Sequence, residues 1–115
     1  MVFEMHETGR AQSIIRAALE KAKEMNMGEV KRVEVLVNTA VGVDKEELLE
    51  IIEDMKKNTM LKETQFLLED ASMQATCKEC GTVFPVESPS ATCPNCGSTN
   101  FELSLLDEWG IARIE

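Results

Sequence analysis

Two cysteine pairs, Cys77-x2-Cys80 and Cys93-x2-Cys96, stand twelve residues apart and constrain this chain more than any other feature. Each pair is followed at once by a glycine, Gly81 or Gly97. Each therefore reads as a tight turn whose freed backbone lets amides approach the sulfurs. Four thiolates at this spacing can close a tetrahedral shell with Zn–S bonds of ~2.3 Å. Protein fills every position and leaves none for water, which describes a structural metal rather than a catalytic one. Iron in a rubredoxin-like knuckle pair is the rival, and a disulfide framework is the third option. The surrounding segment, TCKECGTVFPVESPSATCPNCGSTN, is poor in large apolar residues. Such a segment buries too little surface to fold alone and needs a staple.

Ribbons of this kind often read nucleic acid, and charge argues against that here. Between Cys77 and Cys96 the charged residues are Lys78, Glu79 and Glu87, one positive against two negative, for a net of −1. The whole chain carries a formal −9, which repels phosphate backbones and anionic membrane surfaces alike. No apolar run approaches the ~18 residues of a membrane span, and no signal-peptide pattern precedes the first helix. The expectation is a soluble cytoplasmic protein with neither nucleic acid nor membrane as partner.

Upstream of the ribbon the apolar residues are periodic. Ala11, Ile14, Ile15, Ala18, Leu19, Ala22 and Met25 recur in steps of three and four, which predicts an amphipathic helix over 8–27, stopped at Met27-Gly28. KRVEVLVN then sets Val33, Val35 and Val37 on one face of a strand. A second helix follows, with Leu48, Leu49, Ile51, Ile52 and Met55 inward and Asp44 as its N-cap. ETQFLLEDA reads as another strand burying Phe66 and Leu68. The closing FELSLLDEWGIARIE reads as one strand that leaves the ribbon and rejoins the sheet. The fold class is α+β: two helices on a small mixed sheet, an inserted four-cysteine zinc-ribbon subdomain, and a closing C-terminal strand. By region, 1–73 forms the α+β domain, 74–101 the ribbon and 102–115 the returning strand.

These residues occur in a distinctive order: Met5-His6-Glu7, then Ala11-Gln12-Ser13-Ile14, then Asp44, then the four cysteines with Cys93-Pro94-Asn95-Cys96-Gly97, and finally Ile111-Ala112-Arg113-Ile114-Glu115. The pattern resembles the HypA family of nickel-insertion accessory proteins over Met5 to Glu115. The resemblance implies a metallochaperone for [NiFe]-hydrogenase maturation, with zinc held by Cys77, Cys80, Cys93 and Cys96 as a mainly structural cofactor. It implies that Ni(II) is transient cargo, held at the start of the chain. There His6 is the primary ligand, Met5 and Glu7 stand beside it, and Asp44 is an auxiliary acidic residue. A nitrogen-rich, tetragonal shell of amine, amides and imidazole suits Ni(II) and Cu(II). The implied partners are a HypB-type GTPase and the hydrogenase large-subunit precursor, with urease as a second client in some organisms. The closing strand also offers a route to a homodimer by domain swapping.

Three departures bear on the site, the briefest being that His6 is the only histidine, where some members of the family recruit a second. Met1-Val2-Phe3-Glu4 stand before Met5, so a chain beginning at Met5 offers an amine beside His6, and one beginning at Met1 offers only an amide there. Asn38-Thr39 follows the first strand where the family tends to have Gly-Glu.

Plainer readings stand beside these. A lone terminal histidine is often a bystander, Asp44 can be only a helix cap, and Glu7 can offset the first helix dipole. Trp109 reads as packed at the ribbon–sheet junction, and the seven methionines as core filler. No nucleophile–base pair, phosphate-binding loop or open metal site points to an enzyme, so no catalytic residue is assigned. The alternative function is an acidic zinc-ribbon adaptor between proteins that carries no nickel.

Overall fold

The protein is described from a computed structural model covering residues 6–86 and 91–115, the His6 side chain excepted. Two helices and six strands follow in order: α1 His6–Glu24, β1 Arg32–Val37, α2 Lys45–Met55, β2 Gln65–Asp70, β3 Met73–Cys77, β4 Val83–Pro85, β5 Phe101–Leu105 and β6 Trp109–Ile114. They form two three-stranded sheets, one ordered β2-β1-β6 and the other β4-β3-β5.

The first sheet is mixed. β1 runs parallel to β2, as the intervening α2 crossover requires, and antiparallel to β6. Its helix-facing side carries Val33, Val35, Val37, Phe66 and Ile114, which pack against Ala11, Ile14, Ile15 and Ala18 of α1 and Leu48 and Ile52 of α2. The periodicities of 3.6 and 2 thus converge on one core. α1 ends earlier than its apolar pattern predicts. Asn26 takes a left-handed φ of 54°, and the Met27 amide donates back to the Ala22 carbonyl at 2.9 Å, closing the helix from its C-terminal side. The stop is therefore Asn26 rather than Gly28, and Met25 is left half exposed instead of inward.

The expected single closing strand is two strands. β5 pairs with β3 in the ribbon, and β6 pairs with β1 in the main sheet, with the turn Leu106–Glu108 between them. Trp109 sits opposite Val37 and packs against the helix-covered core, not at the ribbon–sheet junction. That junction is built from Leu36, Ala71 and Leu106, with Val83 and Ala112 against them. β3 is a strand the apolar pattern does not show. Its buried side chains are Ala75 and Cys77, so its core is small residues and sulfur rather than large aliphatics.

Candidate metal centres

Cys77 ends β3 and Cys93 lies on the facing turn, both buried; Cys80 and Cys96 are the exposed members of the two pairs. The two turns repeat one geometry. Gly81 donates its N–H to the Cys77 carbonyl at 2.9 Å, and Gly97 does the same to the Cys93 carbonyl at 2.8 Å. Both glycines hold a left-handed φ, 81° and 76°, that a side chain would strain. Outside each turn, Cys77 N–H donates to Thr82 O and Cys93 N–H to Ser98 O, each at 2.8 Å. The Glu79 amide lies 3.4 Å from Cys77 Sγ, directed at the sulfur.

All four Sγ atoms lie within 4.8 Å of one another. Cys77–Cys96 and Cys80–Cys93 are 3.5 and 3.6 Å apart. A tetrahedron with Zn–S bonds of ~2.3 Å has edges of ~3.8 Å, so the sulfurs already outline that shell. Their acidities differ. A hydrogen bond from the Asn95 side chain, then the Thr82 hydroxyl and amide, draw the Cys80 thiol down to about 5. Cys96 receives a Ser98 amide bond that favours its thiolate, yet the Cys77 sulfur, burial, Cys80 and Cys93 together push it up to about 12. Four sulfurs this close resist ionising together; a divalent cation at their centre removes that conflict and takes all of them as thiolates. The donor set fits a structural tetrathiolate metal.

The second expected site falls at the start of α1. Met5 and the His6 side chain lie outside the described residues, and Glu7 and Asp44 are described. The structure brings these two together. Glu7 is 7% exposed, and one of its carboxylate oxygens accepts the Asp44 N–H at 2.8 Å. Its other oxygen pairs with Arg10, whose Nε reaches Glu108 at 2.8 Å. Burial would lower the Arg10 pKa, but Glu108 and Glu7 more than offset it and hold the guanidinium firmly protonated. Asp44 itself caps α2, its carboxylate accepting the Glu47 N–H at 3.1 Å. Both acidic side chains are thus engaged in structure.

Sequence reading missed the residues that fasten this end of the molecule. Asn38 is 6% exposed; its Nδ2 donates to the Leu106 carbonyl at 2.9 Å and its Oδ1 accepts from Ala40 at 3.1 Å. Asp70 accepts two bonds from Thr39, one from its amide at 3.1 Å and one from its hydroxyl at 2.8 Å. The Asn38-Thr39 pair, noted above only as a departure, therefore ties β1 to both β2 and the Leu106–Glu108 turn. The turn-forming bias of Asn was the one available signal.

Comparison with known proteins places this arrangement. A family model described as hydrogenase/urease nickel incorporation, metallochaperone, hypA matches residues 5–115. The chain belongs to the HypA family. HypA proteins are nickel-incorporation metallochaperones, and the match takes in the four cysteines together with Met5, His6, Glu7 and Asp44. The HypA fold is seen again in a solution structure of the Ni metallochaperone HypA from Helicobacter pylori. That structure is similar at a TM-score of 0.62 and 22% identity, over 95% of each chain. A further solution structure of HypA protein aligns at a TM-score of 0.58 and 24% identity, covering 96% of this chain and 95% of the other. No curated protein sequence matches the chain. Among the described residues no helix is long and apolar enough to cross a membrane.

Proposed function

We propose that this protein binds Ni(II) at Met5-His6-Glu7 and delivers it, with a HypB-type GTPase, to the [NiFe]-hydrogenase large-subunit precursor. Zn(II) in Cys77, Cys80, Cys93 and Cys96 holds the ribbon. The observation that carries this reading is the HypA match, which begins at Met5 and runs through residue 115.

The local chemistry supports it. Glu7 is the second residue of α1, so its N–H has no intrahelical acceptor and is open to coordination once deprotonated. Its carboxylate is committed to Arg10 and the Asp44 amide, so Glu7 enters the nickel shell through its backbone nitrogen rather than its side chain. His6 supplies the imidazole. Asp44 acts by capping α2 and by donating to Glu7, which fixes the first turn of α1 behind the ligands. A nitrogen-rich planar shell selects Ni(II) or Cu(II) over Zn(II), while the tetrathiolate selects Zn(II), so one chain keeps the two metals apart.

The test is a Ni(II) titration of zinc-loaded protein and of His6→Ala, followed by the absorption of planar nickel. One equivalent in the parent and none in the variant, with unchanged circular dichroism, is expected. Equal binding by both would move the nickel site away from His6. Absence of binding in the parent would leave the acidic adaptor as the function. The same titration on chains starting at Met1 and at Met5 measures what an amine at Met5 adds.

A further inference from the structure

Among the described residues, one edge of β5 pairs with no other strand. On either side of the strand, Asn100 O accepts from Lys78 N at 2.9 Å and Leu106 N donates to Ser72 O at 3.0 Å. Backbone groups alternate in direction along an antiparallel ladder, so Glu102 and Ser104 also address β3. The N–H and C=O groups of Phe101, Leu103 and Leu105 consequently point away from β3. With the strands ordered β4-β3-β5, no described strand meets them. The side chains of the same three residues share the face of Ala75 and Cys77, which is the face of the ribbon's small core around Phe84. Yet Leu103 is 50% and Leu105 76% exposed, so that apolar face runs out of the core into solvent.

We propose that a second copy of this chain pairs along this edge, β5 against β5 antiparallel, about a two-fold axis at Leu103. The strand Phe101-Glu102-Leu103-Ser104-Leu105 alternates apolar and polar residues symmetrically about its centre. In this register Leu103 faces its twin and Phe101 faces the partner's Leu105. All the outward N–H and C=O groups then meet, at two hydrogen bonds per facing pair, ~6 in all. The isologous contact closes on itself, as a two-fold interface must. Charge selects this register. Each chain carries −9, and Glu102 is the one charged residue of the strand. Centred on Leu103, it faces the partner's Ser104; centred one residue earlier, two carboxylates would stand opposite one another. Pairing also extends the ribbon, a sheet of three short strands, into one of six and continues its core from Phe84 and Phe101 through Leu103 and Leu105. A contact of this size makes a weak, concentration-dependent dimer.

Sedimentation equilibrium of the zinc-loaded full chain should show a mass rising from 12.8 kDa toward twice that value between ~10 μM and ~1 mM. Over the same range, amide exchange at Phe101, Leu103 and Leu105 should slow while Glu102 and Ser104 stay unchanged. Leu105→Arg removes the exposed apolar contact, and Leu103→Pro removes an outward donor without touching a β3 bond. Each is expected to weaken association by more than about tenfold with an unchanged circular dichroism spectrum. A monomer at every concentration overturns the proposal. So does a dimer that persists in both variants with amides 101, 103 and 105 still exchanging freely, since association then uses another surface such as exchange of β6.

Discussion

The backbone N–H of Asp44 donates a 2.8 Å hydrogen bond to a carboxylate oxygen of Glu7, joining the entry of α2 to the first turn of α1. With Arg10 on the other oxygen and Glu108 beyond Arg10, one buried carboxylate organises three separate segments. In the nickel site proposed above, this contact gives Glu7 and Asp44 the part of supports rather than side-chain ligands.

Glu7 variants should separate support from ligation. Glu7→Gln keeps an acceptor for Asp44 and loses the charge opposite Arg10, whereas Glu7→Ala loses both. The alanine variant should lose about 1–3 kcal/mol by denaturant titration, and the glutamine variant less. Nickel stoichiometry should survive in both, because the proposed ligand at this position is the amide nitrogen. A Glu7→Ala protein that is fully stable but binds no nickel would reassign the carboxylate as a ligand.

Metal removal should act on one part of the molecule. Stripping zinc with a chelator, or Cys93→Ser, should cost the ribbon its order over 73–86 and 91–105. Tetrathiolate binding supplies on the order of 10 kcal/mol to such segments. Amide resonances of α1, α2, β1 and β2 should persist, since their core contains no sulfur ligand. Unchanged resonances of β3 and β5 in the chelated protein would contradict this.

Acid should loosen the end of β2. The Thr39 amide, then its hydroxyl, hold the Asp70 carboxyl below its ordinary 3.8 in the folded chain. The unfolded state therefore takes up the proton first as pH falls. The linked stability is fully present above pH ~4, declines below it, and is lost as pH falls through the folded pKa. A carboxyl NMR titration should place the Asp70 midpoint under 3.8, and Thr39→Ala should raise it. A midpoint unmoved by that substitution would show that the hydroxyl does not hold the charge and that the Thr39 amide, which alanine keeps, holds it alone.

Gly110→Ala tests how closely ribbon and sheet approach. A Cβ there would sit 3.1 Å from Gln74 Oε1 and 3.3 Å from Leu106 Cδ1. Crowding at such a junction should cost about 1–3 kcal/mol, read from the denaturation midpoint. A neutral substitution would mean that Gln74 swings aside freely.

The parts of this fold legible from sequence were those with a period. Ile14, Ala18, Leu48 and Ile52 recur at helical spacing, Val33, Val35 and Val37 at strand spacing, and all are buried. The cysteine cluster was legible because ligand spacing is a local property. β3 was not, since Ala75 and Cys77 carry too little apolar bulk to show a pattern. The break between β5 and β6 was hidden because Leu106-Asp107-Glu108 contains neither Gly nor Pro. The bonds of Glu7 to Asp44 and Asn38 to Leu106 span 37 and 68 residues, beyond the reach of any periodicity.

One consequence follows from where the ribbon is fastened. The chain departs for it as the Ala71 amide binds the Val37 carbonyl, and returns as the Asn38 amide binds the Glu108 carbonyl, each at 2.8 Å. Departure and arrival are thus side by side at the end of β1, and the ribbon is a detour that leaves the route unchanged. Residues within it can be lengthened, trimmed or exchanged over evolutionary time without shifting β6 by a single position on β1.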